Sequence, residues 1–428
     1  MKIKTKNISY NEVMKLPREK HLPPSRPGFF FRSLVRILSG MTLRKLSFTV
    51  TKSDLGEAEQ EPCLILMNHS CFLDLLIASR LFYPRPYGIV CTSDGFVGKR
   101  WLMRRLGCIS TPKFVSDLTL IRDMEYALKK KKISVLMYPE ASYSFDGCAT
   151  PLPRRMGMFL KHLKVPVVMV KTQGAFLYDP LYNGLQTRKV PVHADVSCLL
   201  SREQIETLPE AELERILDEA FTFDAFAWQK ENNIHITEPF RADGLERVLY
   251  KCPHCRAEGR TVGRGTELLC HACGKRYRMN ELGEMEAADG APTEFSHIPD
   301  WFRWEREEVR KELLDGSYRL DTDVNIGMMI DSKAIYMIGR GHLIHDRDGF
   351  FLTGGDGKLE YRQKPLSSYG LYSDYFWYEI GDMICIGNRE CLYYCFPKKE
   401  GVVAKTRLAA EELFKLSISD VRQRKLKQ

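Results

Sequence analysis

"LILMNHSCFLDLLIAS" (Leu64–Ser79) starts as a strand-like apolar run, turns polar at Asn68 and His69, and becomes apolar again just past Asp74. An imidazole and a carboxylate therefore sit at a seam between two buried segments, where a strand hands over to a helix. In α/β sheets that rim is the usual place for a ligand site. At this spacing Asp74 can hydrogen-bond one ring nitrogen of His69 and fix its tautomer, leaving the other nitrogen as a general base. A hydroxyl activated in this way can attack an acyl donor that is already reactive, such as a thioester, without a covalent enzyme intermediate.

From about residue 56 to 200 the same alternation recurs. "CLILM", "YGIVCT", "ISVLMYP" and "VPVVMVKT" read as strands, and "DLLIASRLF", "WLMRRLG", "LTLIRDMEYALKKK" and "RMGMFLKHL" as the helices between them. This pattern predicts an α/β sheet. The segment from Ser201, a plausible helix cap, to Asn232 is largely helical in pattern.

At 428 residues, 44% hydrophobic and 28% charged, the chain has the composition of a globular protein of several domains and not of a disordered or fibrous one. Residues 1–52 carry twelve Lys or Arg against only Glu12 and Glu19, an excess that by itself accounts for the net charge of +9. The basic character is thus a local arm suited to an anionic surface. Within "GFFFRSLVRILSGM", Phe30, Leu34, Ile37, Leu38 and Met41 follow a helical rhythm with Arg32 and Arg36 on the far side, the pattern of a helix lying in a bilayer interface. No apolar run is long enough to span a membrane or direct export, and thirteen cysteines are too sparse for a disulfide scaffold. The expected setting is a reducing cytoplasm, with peripheral attachment to the inner face of the membrane.

Four blocks then occur in order: "NHSCFLD", "RRLGCISTPK", "YPEASYS" and "VPVVMV". Together they resemble the glycerophospholipid and 1-acylglycerol-3-phosphate (PlsC-like) acyltransferase family over about residues 60–180. The resemblance implies that His69 is the catalytic base and Asp74 its orienting acid. It places Asn68, Lys113, Glu140, Ser142, Tyr143, Arg154 and Arg155 as substrate-binding candidates, with Pro166 matching the proline of the last block. The family's arginines at two of these positions are replaced by Lys113, which lacks the bidentate fork suited to phosphate, and by Tyr143, which carries no charge. The implied reaction moves an acyl group from acyl-CoA or an acyl-carrier protein to the hydroxyl of a lysophospholipid such as 1-acylglycerol-3-phosphate. Cys71, within the first block, reads as a small buried apolar residue.

Two C-x2-C pairs, Cys252/Cys255 and Cys270/Cys273, give four soft ligands at the spacing of a zinc ribbon. Four thiolates leave no open coordination position, so a Zn²⁺ there is structural. Arg256, Arg260, Arg264, Lys275, Arg276 and Arg278 lie nearby, but without the aromatic interleaving of a nucleic-acid platform. Beyond an acidic linker, "DWFRWEREEVRKELLDG" reads as a helix. It is followed by an aromatic, turn-punctuated β-rich region that ends on a helical "TRLAAEELFKL". The expected architecture is a basic arm and amphipathic helix (1–55), an α/β acyltransferase domain (56–245), a zinc ribbon (246–285) and a β-rich α+β domain, possibly pleckstrin-homology-like (286–428). Competing functions are a catalytically silent lipid-binding scaffold and a zinc-ribbon nucleic-acid-binding protein.

Overall fold

Leu64, Leu66, Ile65 and Met67 are all buried, because apolar side chains on both faces of one strand require cover on both sides. The structure, a computed structural model, describes residues 2–115 and 117–426. In chain order its elements are β1 (Thr5–Asn7), α1 (Tyr10–Lys15), α2 (Phe29–Lys45), β2 (Thr49–Lys52), β3 (Leu64–Met67), α3 (Leu73–Phe82), β4 (Tyr87–Thr92), α4 (Arg100–Arg105) and β5 (Cys108–Thr111). There follow α5 (Leu118–Glu125), β6 (Ser134–Met137), α6 (Met156–Leu163), β7 (Val167–Gln173), α7 (Ala175–Tyr178) and β8 (His193–Leu200). Helices α8 (Arg202–Thr207), α9 (Glu210–Ala220) and α10 (Ala225–Glu231) complete the first domain, α8 being capped by Ser201.

These strands form a seven-stranded sheet in the order β2-β8-β7-β3-β6-β4-β5, parallel from β7 to β5, with β8 antiparallel to β7. Alternation at period two divides its cover. Ile65 and Met67 pack with Leu43 of α2 and Leu73 and Ile77 of α3, whereas Leu64 and Leu66 pack with Met124, Leu160 and Leu213 on the other face. Central β3 therefore ends, at its C-terminal rim, on His69.

The second sheet has four antiparallel strands in the order β12-β11-β10-β9, formed by β9 (Thr261–Arg264), β10 (Glu267–Cys270), β11 (Arg276–Met279) and β12 (Met285–Ala287). After α11 (Ile298–Asp315) come β13 (Leu320–Met329), β14 (Ile335–Asp346), β15 (Gly349–Gly354), β16 (Leu359–Gln363), β17 (Tyr372–Trp377), β18 (Gly381–Gly387), β19 (Leu392–Pro397) and α12 (Val403–Leu426). They form an antiparallel sheet in the order β16-β15-β14-β13-β19-β18-β17. The "DRDG" and "GGDG" signals fall at its hairpins.

Three boundaries differ from the sequence expectation, each because backbone pairing is indifferent to composition. The basic arm is not a separate extension: β1 pairs in parallel with β14, Thr5 opposite Ile335, as an eighth strand of the last sheet. Strand β2, inside the expected arm, belongs to the α/β sheet, and β12 carries the ribbon sheet to Ala287. The ribbon, α11 and the last sheet also share one core with the α/β domain: Tyr277, Trp301 and Ile384 pack in the same cluster as Phe145, Phe176 and Tyr182.

Gly174 joins β7 to α7 with φ +79°, and a Cβ there would lie 2.2 Å from the Pro191 carbonyl oxygen. A Gly174→Ala chain is expected to lose at least about 1 kcal/mol of stability from the left-handed backbone alone, with the steric clash added, read as a lower midpoint in urea unfolding.

Candidate active site

His69 lies in the turn between β3 and α3. Its Nδ1 is 3.1 Å from Oδ2 of Asp74, and the same oxygen accepts from the backbone N–H groups of Ser70 (2.7 Å) and Cys71 (3.2 Å). Asp74 is fully buried in the first turn of α3, where a carboxylate also faces the positive end of the helix. Three donors on one oxygen define its position, and holding Nδ1 leaves Nε2 as the ring nitrogen for proton transfer.

The Tyr138–Ser144 loop after β6 grips His69 from the neighbouring strand. Oε2 of Glu140 accepts from the His69 backbone N–H (3.0 Å), and the Ser144 N–H donates to the His69 carbonyl (3.2 Å). The Tyr138 ring stacks on the imidazole with centroids 3.9 Å apart, and the Tyr143 ring approaches it at 4.3 Å. Burial among these groups lowers the His69 pKa from its ordinary value, against the raising effect of Asp74, and Lys113 lowers it further. This direction favours the neutral imidazole, the form that can act as a base.

The sequence-derived binding residues separate into two groups. Lys113, Tyr143, Arg154 and Arg155 line, with His69, a cavity of about 1600 Å³. Three others do not line it: each is buried and hydrogen-bonded to protein partners. Asn68 clamps β3 to β7, its Nδ2 donating to the Thr172 carbonyl (3.0 Å) and its Oδ1 accepting from the Thr172 N–H (2.7 Å). Glu140 spans from the His69 backbone to the Thr150 N–H (2.8 Å) and hydroxyl (3.1 Å), and burial pushes its pKa up to about 7. Ser142 Oγ accepts from Arg407 Nη2 at 2.8 Å. These polar side chains fix the loops behind the cavity wall. Cys71 is buried, with its thiol pKa pushed well up by burial, in keeping with an inert role.

The cavity also contains residues that no local motif indicated. Tyr369, Tyr372, Asp374, Phe376 and Trp377 from the β17 region and Phe414 of α12 line it from the side of the last sheet. Lys113 Nζ lies 4.2 Å from the centroid of the Tyr372 ring and 6.0 Å from that of Tyr143. The Tyr372 hydroxyl (2.8 Å) and Trp377 Nε1 (3.0 Å) both donate to Oδ2 of buried Asp94, tying β17 to the α/β domain. Lys113 thus meets aromatic faces, with the carboxylates of Asp94 and Asp374 raising its pKa and burial, the larger effect, lowering it.

Near Arg32 and Val35, which line the same cavity, α2 carries an uncovered apolar face. Phe30 is 70% exposed and Ile37 63%, with Leu34, Leu38 and Met41 also exposed, while Ser39 and Leu43 turn inward. Trp101 of α4, 64% exposed, meets Phe31 edge-on at 5.8 Å and extends this surface.

The four ribbon thiols lie within 4.8 Å of one another, Cys252 Sγ 3.9 Å from Cys273 Sγ and Cys255 Sγ 3.7 Å from Cys270 Sγ. A tetrahedral site with Zn–S bonds of ~2.3 Å has S···S edges of about 3.8 Å, so the donor set fits Zn²⁺. The two knuckles have matching backbones. Arg256 (φ 64°) and Gly274 (φ 77°) are both left-handed, and their N–H groups donate to Cys252 and Cys270 carbonyls at 2.8 Å. His254, within the first knuckle, pairs with Glu294 at 3.1 Å.

Residues 47–171 match the protein-family model described as Acyltransferase. His69 and Asp74 fall within the matched residues, at the rim of the sheet. Among solved structures, the 1-acyl-sn-glycerophosphate (LPA) acyltransferase PlsC from Thermotoga maritima is similar at 15% identity and TM-score 0.35, over 45% of this chain and 77% of that one. No curated protein matches the chain.

Purified protein is expected to hold one zinc per chain by metal analysis. Cys255→Ser should lose that metal and unfold at lower temperature; full stability without metal would contradict a structural zinc.

Proposed function

We propose that this protein transfers a fatty acyl group from an acyl thioester, acyl-CoA or acyl-carrier protein, to the hydroxyl of a lysophospholipid. The observation that carries this reading is the His69–Asp74 pair opening onto a cavity of about 1600 Å³, well above the volume usual for one small ligand and adequate for two substrates with acyl chains. His69 Nε2 takes the proton of the acceptor hydroxyl as its oxygen attacks the thioester carbonyl. An O–C bond forms, the C–S bond breaks as the tetrahedral oxyanion collapses, and the imidazolium returns the proton to the departing thiolate. Asp74 stabilises the imidazolium and stays ionised, in the manner of the acid in other His–Asp pairs. Lys113, Tyr143, Arg154 and Arg155 are the lining residues we assign to the acceptor, 1-acylglycerol-3-phosphate being one candidate.

The acceptor and product of such a reaction reside in a bilayer, and the exposed face of α2 with Trp101 is suited to its surface. No helix among the described residues is long and apolar enough to cross a membrane. The exposed apolar face of α2 supports placing the protein as a peripheral enzyme on the inner, cytoplasmic face of the membrane. Zinc would serve the ribbon's folding and take no part in the chemistry. Several basic ribbon side chains are paired with acids, Arg256 with Glu308, Lys275 with Asp289 (3.2 Å) and Arg278 with Glu286 (3.6 Å), which argues against a nucleic-acid surface. The strand order of the last sheet, a four-strand meander joined edge to edge with a three-strand one and closed by α12, supports a pleckstrin-homology-like reading of that region.

Turnover of a labelled acyl-CoA or acyl-carrier protein with a panel of lysophospholipids tests the activity. His69→Ala should abolish transfer, by at least about a thousandfold, without loss of thermal stability. Near-wild-type turnover in that variant rejects the mechanism, and binding of lipid without turnover in the wild type makes the protein a scaffold. Cosedimentation with anionic phospholipid vesicles tests the membrane surface: a Phe30→Ser/Ile37→Ser chain should bind at least about tenfold more weakly.

A further inference from the structure

Tyr143 approaches His69, yet the backbone that presents it is held by a residue from the far end of the chain. Arg407 of α12 donates from Nη2 to Ser142 Oγ at 2.8 Å and from Nη1 to the Tyr143 carbonyl at 3.2 Å. Its guanidinium also stacks on the Phe145 ring, 4.2 Å from the centroid, so it touches three residues of the loop that follows Glu140. Arg407 is only 4% exposed, and Glu411 on the next turn of α12 accepts from its Nε at 3.1 Å. Glu411 is in turn paired with Arg306 of α11 at 2.7 Å, so α12 cannot shift without breaking a second buried ion pair.

We propose that Arg407 is a positioning residue of the acyl-transfer reaction: from the last helix it fixes the Tyr138–Ser144 loop, which keeps the His69 ring packed, dry and aligned. The inference rests on the acyltransferase reading for its function, but its structural content stands on the contacts alone. Arg407 does not line the cavity, and acts on the reaction through the loop. A planar, five-donor guanidinium suits the task because it reaches a hydroxyl and a carbonyl together while stacking on a ring, which an ammonium cannot do. The lever is sensitive because the two rings against His69, Tyr138 and Tyr143, belong to the loop that Arg407 grips.

The groups that face His69 define the sign of the effect. Asp74 contributes from α3, Glu140 from the loop through the His69 backbone, and Lys113 from the end of β5. Tyr138 and Tyr143 contribute their rings, and Asp374 lines the same cavity from β17. Burial lowers the pKa of His69 and Asp74 raises it. Loosening the loop admits water and relieves the burial effect first, so the imidazole becomes more basic. Because the base must be neutral, the acid limb of the pH–rate profile then moves to higher pH. A merely structural loss lowers the active fraction and leaves the limb where it was.

The experiment compares wild type, Arg407→Lys and Ser142→Ala in the full-length zinc-loaded protein, with the His69 imidazole followed by NMR against pH and kcat followed against pH. We expect Arg407→Lys to move the His69 midpoint and the acid limb upward together and to lower kcat about tenfold or more, with KM changed far less. Ser142→Ala, which removes one contact and should fold regardless, moves both in the same direction by less. An unmoved His69 midpoint in a folded Arg407→Lys chain overturns the proposal; if that chain does not fold, an unmoved midpoint in Ser142→Ala does so. The NMR titration needs no substrate, so it decides whether Arg407 sets the surroundings of His69 even if the wild type shows no acyl transfer, an outcome that would reject the reaction proposed above and leave the structural coupling standing.

Discussion

One carboxylate oxygen holds the site together. Oδ2 of Asp74 receives the His69 ring N–H and the N–H groups of Ser70 and Cys71, all at the point where β3 gives way to α3. A buried carboxylate without donors is strongly unfavourable, whereas one that satisfies three donors dictates the path of the turn around it. The turn in turn requires β3 to end centrally in the sheet, with Asn68 tied to β7 and Glu140 to the His69 backbone. The placing of the imidazole at the cavity wall is thus a by-product of satisfying buried polar groups behind it.

Enclosure of that geometry comes from elsewhere in the chain. The α/β sheet supplies the floor of the cavity, and the β17 region with α12 supplies a wall. The ribbon and α11 lie between the two in sequence and join them in space. Trp301 Nε1 donates to the Lys251 carbonyl at 3.0 Å, and Glu305 accepts from the Lys251 N–H at 2.8 Å, fastening the first knuckle to α11. Arg306 and Arg310 then pair α11 with Glu412 of α12 at 3.1 and 3.0 Å. The four-cysteine ribbon in this place sets the spacing between the helix that carries Arg407 and the loop that it holds.

What could be read from the sequence was what is local. The strand-to-helix seam, the paired knuckles and the amphipathic face of α2 depend on spacings of a few residues, and each lies in the structure where its spacing implied. Roles that depend on distant partners were not legible. Glu140 in a turn looks like a group that greets a ligand until the N–H groups of His69 and Thr150 are placed around it. Asn68 reads as a site residue until Thr172 arrives on the adjacent strand. Nothing in the periodicity of residues 1–10 announces a strand, since three residues pairing along one edge leave no amphipathic pattern. The contributions of Tyr372, Asp374 and Arg407 could not be inferred at all, because they depend on how two domains meet.

The way the first residues are anchored bears on α2. Before it, β1 is sewn into the last sheet and Glu19 accepts from Ser332, 313 residues away in sequence; after it, β2 is sewn into the α/β sheet. The helix is therefore clamped at both ends to different parts of one body, and is not a tethered float. A surface held in this way gives up little rotational or torsional freedom when it meets another surface, so the apolar area it buries is not spent on ordering the helix. It also has one bearing: the cavity that Arg32 and Val35 line, with His69 on its wall, stands at a set angle to the exposed face of α2.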